Sequence, residues 1–393
     1  MAVAVVAVVF VVAGCTSGTR AVTTPANHVA ADLTDYRGNV ARTGQMPGPG
    51  LRASAVTLWR YRDPSAIGLP PAVAAGQVLV PENQSLVALD LAGGARAWAV
   101  PLGAGTNAPV TVASGTALVT TTDNVVHAIN LATHQERWRF QGAADGAQLS
   151  IQGATVYLGT QRHEFVALDV VDGTRQWSIS IGHGGVKNAI ADGVAYVGGD
   201  SGSVLTAINL ADRKIMWSFD THGDRLATPA VDHGTVYVAG IAASGLAGRN
   251  TNLFALDAVS GRELWRFAPP NDPAMAAFAV GANDVFIGLD STPGTLYAIN
   301  RLTGKVHWQA PIAGAVDRPA LVDDLVYVAA GPGGLHAFDV ATGRQVWTAA
   351  IPGYCEGVVV TDGIALVATR GAPDTPGVVT ALVGMDDDRA PAP

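Results

Sequence analysis

Cysteine is nearly missing from this chain: 393 residues contain two, Cys15 and Cys355. Once Cys15 is modified, as argued below, no intramolecular disulfide is left, so the fold must hold by its core alone. Charge is scarce too. Asp, Glu, Lys and Arg make up 14% of residues, lysine occurs three times, and the net charge of −8 comes without any acidic or basic block. A nucleic-acid surface needs clustered Lys and Arg and is excluded on that ground. The nine histidines are scattered. His127 and His336 hold the same strand slot in two distant repeats and cannot share an ion, and no Cys/His cluster has metal-ligand spacing. No Gly-x-Ser-x-Gly marks a hydrolase nucleophile. What is plentiful is glycine (46), proline (22) and apolar residues (49%), the composition of many turns and buried strands, hence an all-β chain.

One long apolar run exists, Met1 to Gly14, and it carries no charge. A bilayer span takes about 20 apolar residues, whereas the core of a secretory signal takes about 7–15. Val12-Ala13-Gly14-Cys15 resembles a bacterial lipobox, and Thr16-Ser17-Gly18 follow at once, although no Lys or Arg precedes the run. The resemblance implies a signal peptide over 1–14, lipidation of Cys15 and export. Residues 15–34 then read as a flexible tether; the stretch after Cys15, residues 16–34, spans roughly 20–25 Å. Two acyl chains hold a protein on a membrane where one does not.

The eight tryptophans lie at 59, 98, 138, 177, 217, 265, 308 and 347, close to every fortieth residue, and none falls outside the series. Such a period with strand-like content marks a propeller array. Seven of them follow, by eight residues, the Asp or Asn of an Ala-x-Asp/Asn triplet, from Ala88-Leu89-Asp90 to Ala337-Phe338-Asp339. Five of the seven have glycine four residues after that acid or amide, at 94, 173, 261, 304 and 343; His134 and Arg213 replace the others. Asp or Asn nucleates a turn, and glycine supplies the positive φ that closes the hairpin. His134 and Arg213 are therefore expected to be strained. The small alanine leaves room for an indole, from the same or the neighbouring unit. Upstream strands centre on a large residue, as in Val236-Tyr237-Val238, preceded by a short run such as Pro229-Ala230-Val231. Each unit is thus four strands, A to D from the channel outward.

Trp59 has no triplet before it, and Thr380-Ala381-Leu382 has no Trp after it. Joining them makes one single eight-bladed propeller of four-stranded antiparallel blades over 35–384, closed by the N-terminal strand, with a disordered tail at 385–393. Closure also removes two exposed sheet edges.

The pattern A-x-D-x-x-x-G-x-x-x-W, complete from Ala255 to Trp265, resembles the PQQ-like, tryptophan-docking repeat. Asp35-Tyr36-Arg37-Gly38-Asn39 with Pro47-Gly48-Pro49-Gly50 is similar to the segment that precedes blade one in BamB-type lipoproteins. The resemblance covers about nine-tenths of the chain and implies the fold strongly and the function weakly. The enzyme branch of that family holds PQQ and Ca²⁺ in the channel mouth with paired cysteines and a Glu, Asn and Asp set. No adjacent cysteines and no such set stand here. The expectation is a non-enzymatic binding or scaffold lipoprotein without cofactor, probing envelope proteins or polymers, its body monomeric. A PQQ dehydrogenase and an extracytoplasmic sensor subunit are the alternatives.

Aligned on the strand-B aromatic, the start of strand A reads Pro70, Pro109, Gln148, Asn188, Thr228, Ala277, Arg318 and Gly357, preceded in blades four, seven and eight by Lys187, Asp317 and Glu356. Blade four lies opposite blade eight. Lys187, Asn188, Asp317, Arg318 and Glu356, with Arg225, are therefore expected to form a binding rim at the channel mouth. The alternative is solvated or locally paired charge. Longer loops at Ala242–Asn252 and Arg370–Gly377 fall on the same face. Cys355, near the mouth, is either a reactive thiol or a small packing residue.

Overall fold

The computed structural model describes residues 32–63, 69–199, 202–223, 225–241, 251–270, 274–290, 293–314, 316, 318–331, 333–371 and 376–386, without the side chains of 274–277 and 290. The Cys15 motif, Asp317, most of the blade-five loop, part of the blade-eight loop and the tail from 387 lie outside these residues.

Eight antiparallel sheets follow one another around a ring, each in the order A-B-C-D. Blade one is typical, with strands Ala72–Ala74, Gln77–Glu82, Ser85–Asp90 and Arg96–Pro101. Blade five adds a two-residue strand, Arg225–Leu226, beside the far end of its strand B. The last blade takes Tyr354–Thr361, Ile364–Arg370 and Gly377–Gly384 from the C-terminal end and Ala55–Asp63 from the N-terminal end, with Trp59 opposite Ala381. Eight blades and closure by the N-terminal strand are as the repeats imply.

The repeat residues meet in one joint, used around the ring. Each Trp sits opposite the triplet alanine of its own blade, as Trp98 opposite Ala88 and Trp265 opposite Ala255. One residue is skipped just before the Trp in all eight blades. Such a bulge bends the outer strand and re-aims its side chain. The indole then reaches the next blade: Trp59 Nε1 donates to Leu91 O at 2.8 Å, Trp138 to Val170 O at 3.0 Å and Trp265 to Arg301 O at 2.8 Å. Trp217 and Trp308 do the same to Ala258 and Val340. Every one of these acceptors directly follows the hairpin Asp or Asn. Trp347 closes on Leu51 O at 2.8 Å. On the blade's inner side the strand-B aromatic packs against the same indole, with Tyr237 and Trp265 centroids 6.0 Å apart.

The hairpin glycine has a second reason beyond its φ. A Cβ on Gly304 would lie 2.8 Å from Trp265 Cδ2, and one on Gly261 2.5 Å from Trp217 Cδ2. The glycine is the floor on which the preceding blade's indole lies. His134 and Arg213 keep the positive φ, 57° and 60°. They replace the floor with contacts of their own. The His134 ring stacks on Trp98 at 4.7 Å, whose Nε1 turns to Gln77, and the Arg213 guanidinium lies 5.9 Å over Trp177. The strain expected at both positions is present and is offset by stacking.

The seam between blades eight and one carries an ionisable cluster. The Tyr61 hydroxyl donates to Glu82 Oε1 at 2.8 Å. Burial, partly offset by that hydrogen bond and reinforced by the Asp63 carboxylate, pushes the Glu82 carboxyl up to about 7. The folded chain therefore holds this proton more tightly than the unfolded chain. That contribution is complete below the ordinary carboxyl range and is lost as pH rises through about 7.

Two predictions follow from the joint and the seam. Gly304→Ala should cost about 2–4 kcal/mol in urea unfolding, from strain and a displaced indole, while Gly234→Ala should cost only about 1 kcal/mol. Gly234 has φ +72° but nothing within 4 Å of its would-be Cβ. Equal losses at the two sites would refute the docking role. Glu82→Gln should stabilise the ring by roughly 1–2 kcal/mol near pH 8 and by nothing near pH 4, read from melting temperatures across pH. A gain independent of pH would contradict the raised carboxyl.

Candidate functional site

The segment between Asp32 and Gly50 is absorbed by the ring. It threads the central channel and pairs with the equivalent strand-A residue in six of the eight blades. Leu33 bridges to Val73, Val112 N donates to Thr34 O, Ile190 N to Val40 O, Val231 N to Ala41 O, Val280 N to Thr43 O and Leu321 N to Gly44 O. The last three residues assigned to a tether, Asp32–Thr34, are thus docked on blades one and two, with Asp32 Oδ1 accepting from Ala75 N at 2.8 Å. Inner strand edges otherwise leave their N–H groups without partners; the chain's own N-terminal segment fills that need and plugs one end of the channel.

Arg42 is the pin of this plug. Its side chain is fully buried and its backbone is held at φ 61°. Its guanidinium donates to Tyr36 O at 2.6 Å, Leu149 O at 2.5 Å, Ser150 Oγ at 2.8 Å and Asn188 O at 3.3 Å. It thereby ties the plug to blades three and four. Burial lowers its pKa from the usual arginine range, and the Asp35 carboxylate, 3.9 Å away, opposes that shift. The Asp35 carboxyl is raised in turn, by burial first, with Arg42 pulling it down.

With one end plugged, the channel becomes a blind cup of about 380 Å³ including its open mouth. Its floor is Leu33, Asp35, Tyr36, Arg37 and Met46; its walls are the starts of strand A in blades one, two, seven and eight. Pro70, Pro71 and Pro109 give an apolar wall, facing Arg318 and Gly357.

The expected rim divides. Arg318 lines the cup, and its guanidinium donates to Glu356 O at 2.6 Å. The buried Glu356 carboxylate pairs with Arg370, 2.5 Å away on the neighbouring strand. Blade four is elsewhere. Lys187 Nζ donates to Leu226 O at 2.8 Å, next to the exposed Arg225, and neither lines the cup. The slot assigned to Asn188 also needs correction. Ala189 pairs with Tyr196 as Ala72 pairs with Leu79, so Lys187 is the counterpart of Pro70 and Asn188 points to the other face of its strand. Asn188 is fully buried, and its Nδ2 donates to Gln148 O at 2.8 Å, a structural bond. Charges of blades four and eight do not meet across one mouth. Asp317 lies outside the described residues. Cys355 is buried in the core between blades seven and eight, the position of a packing residue.

Sequence reading missed the plug residues Asp35, Tyr36 and Arg37.

The PQQ–Ca²⁺ set of the family's enzyme branch does not fit the described residues. Glu356 is engaged by Arg370, Asn188 is locked inside its sheet, and no three His, Cys, Asp or Glu groups among the described residues converge to hold a metal.

Arg42→Met should cost about 3–5 kcal/mol, because the carbonyls it satisfies and Asp35 stay buried without it. Limited proteolysis should then cut the segment between 35 and 50 well below the melting temperature of the ring. Resistance equal to the parent chain would show that the plug does not depend on this pin.

Against known proteins, the chain is 28% identical over 298 residues to the outer membrane protein assembly factor BamB of Yersinia pestis, covering 65% of this chain and 73% of that one. It is 25% identical over 228 residues to the tetrathionate hydrolase of Acidithiobacillus ferrooxidans, covering 56% of this chain but 41% of the hydrolase. The solved quinohemoprotein alcohol dehydrogenase ADHIIG of Pseudomonas putida superposes with a TM-score of 0.71 at 12% identity, over 92% of this chain and 82% of that one, a likeness of fold alone. The family model described as outer membrane protein assembly factor BamB matches residues 52–191 and 172–382. That match runs through the whole ring, and the chain belongs to this BamB family of PQQ-like β-propellers.

Proposed function

We propose that the protein is a membrane-anchored, extracytoplasmic scaffold that binds other envelope components through the open mouth of its cup, without catalysing a reaction. The observation that carries this reading is the plug. A ring of the BamB family has filled one end of its channel with its own N-terminal segment, leaving a shallow, mainly apolar cup with Arg318 in its wall. A cup of that shape suits an inserted loop of a partner better than a cofactor enclosed on all sides. Its donor set also argues against PQQ with Ca²⁺. Lipidation at Cys15 would supply the anchor, with the lipobox-like sequence as its support.

The test is capture of partners from native membranes with the full chain. Arg318→Ala should weaken recovery of the partner roughly tenfold, the loss of one charge-assisted contact. The melting temperature should stay within a few degrees. An unchanged partner set would remove the cup from the account. Dye reduction by the chain after loading with PQQ and Ca²⁺ would replace the scaffold with an enzyme. Labelled palmitate should enter the parent chain and not Cys15→Ser.

A further inference from the structure

The face opposite the mouth has a composition that binding at the cup does not explain. The turns between strands A and B and those between C and D share this face. Leu91 N bonds to Gly76 O, Ala258 N to Gly234 O and Val340 N to Asp324 O. At the tip of each C–D turn, two residues after the Asp or Asn, blades one, two, four and seven carry alanine: Ala92, Ala132, Ala211 and Ala341. Blades three, five and six carry Val171, Val259 and Leu302, 62%, 74% and 82% exposed. These tips make no core, and Val259 and Leu302 stand on neighbouring blades of the same face.

Charge follows the same arc. Five residues after the Asp or Asn, blades one to three have Ala95, Gln135 and Thr174, while blades four to seven have Lys214, Arg262, Lys305 and Arg344, all exposed. Two of the chain's three lysines are in this set. Carboxylates share this face: Asp232 pairs with Arg301 at 2.6 Å and Asp324 with Arg52 at 3.0 Å, Asp257 and Asp339 lie within the fields of Arg262 and Arg344, and Asp192 and Asp212 stand exposed near Lys214. Finally, Asp32 is bonded to the A–B turn of blade one, so the described chain enters the body on this face, seventeen residues after Cys15.

We propose that this face lies on a phospholipid surface carrying anionic headgroups, with Val259 and Leu302 entering the headgroup region and the arc of Lys214, Arg262, Lys305 and Arg344 on the lipid phosphates. Aliphatic side chains ringed by Lys and Arg are the chemistry that an anionic interface takes up. The contact rests on the membrane attachment proposed above and adds to it an orientation: the ring lies flat, and the cup opens away from the lipid.

The test places an environment-sensitive residue at either face of the full, membrane-extracted chain. Leu302→dansylalanine and Tyr354→dansylalanine, the latter at the mouth, are reconstituted with vesicles of equal parts phosphatidylglycerol and phosphatidylcholine. The probe at 302 should shift to the blue and gain intensity, and the probe at 354 should not. Replacing Lys214 and Lys305 by Gln should weaken the vesicle contact read at 302 roughly 20- to 30-fold, at about tenfold per 1.4 kcal/mol and about 1 kcal/mol for each basic group. A chain that floats with the vesicles while the probe at 302 stays in water would overturn the orientation and leave the anchor standing. A chain that does not float at all would overturn both. An equal shift in pure phosphatidylcholine would overturn the role of the basic arc.

Discussion

An indole laid across a blade boundary is the interaction on which the rest of this molecule depends. A four-stranded blade of about forty residues cannot cover its own outer faces. One Trp per blade covers the joint, burying much of a side chain worth several kcal/mol of apolar transfer, and five of the eight give their single N–H to a carbonyl of the next blade's turn. Four features of the repeat follow from that demand. The bulge aims the ring, the alanine opposite makes room for it, the Asp or Asn shapes the turn that presents the carbonyl, and the glycine leaves that turn bare. With neither disulfide nor α-helix among the described residues to brace it, the ring is held by repetition of this joint and by the seam of Ala55–Asp63 on Gly377–Gly384.

The second constraint is the channel. Eight inner strands converge with their edges toward the axis, and something must satisfy them. Here the N-terminal segment does it, with Arg42 held by carbonyls of blades three and four and Gly44 by blade seven. The consequence is asymmetry. One face carries a cup and the other a closed floor with the chain's entry, the aliphatic tips and the basic arc. The two faces of the ring are thereby unlike.

The ring itself was legible because its cause is periodic. Trp spacing counts the blades, and the unmatched Trp59 and Ala381 announce the seam. Half of the glycine's role was legible, since φ is a property of the local chain, but the indole above it belongs to the blade before. The plug was not legible. Its partners are backbone groups of strands spread from Val73 to Leu321, and backbone groups leave no mark in a sequence. The rim failed for a related reason. Whether Asn188 or Lys187 faces the axis turns on one residue of register, and in a strand one residue decides the face. Arg318 and Glu356 were placed together, though through a main-chain carbonyl, while Glu356's real partner, Arg370, sits on the next strand.

The closed ring can be tested through the indoles themselves. In chain labelled with ¹⁵N-tryptophan, hydrogen exchange of the indole N–H groups reads each joint separately. The account predicts that Trp59 and Trp347, which border the seam, exchange as slowly as Trp138, Trp217, Trp265 and Trp308, all opening with the global unfolding of the ring. Exchange at Trp59 and Trp347 that is faster by orders of magnitude, with the other four still protected, would mean that the ends do not lock the circle.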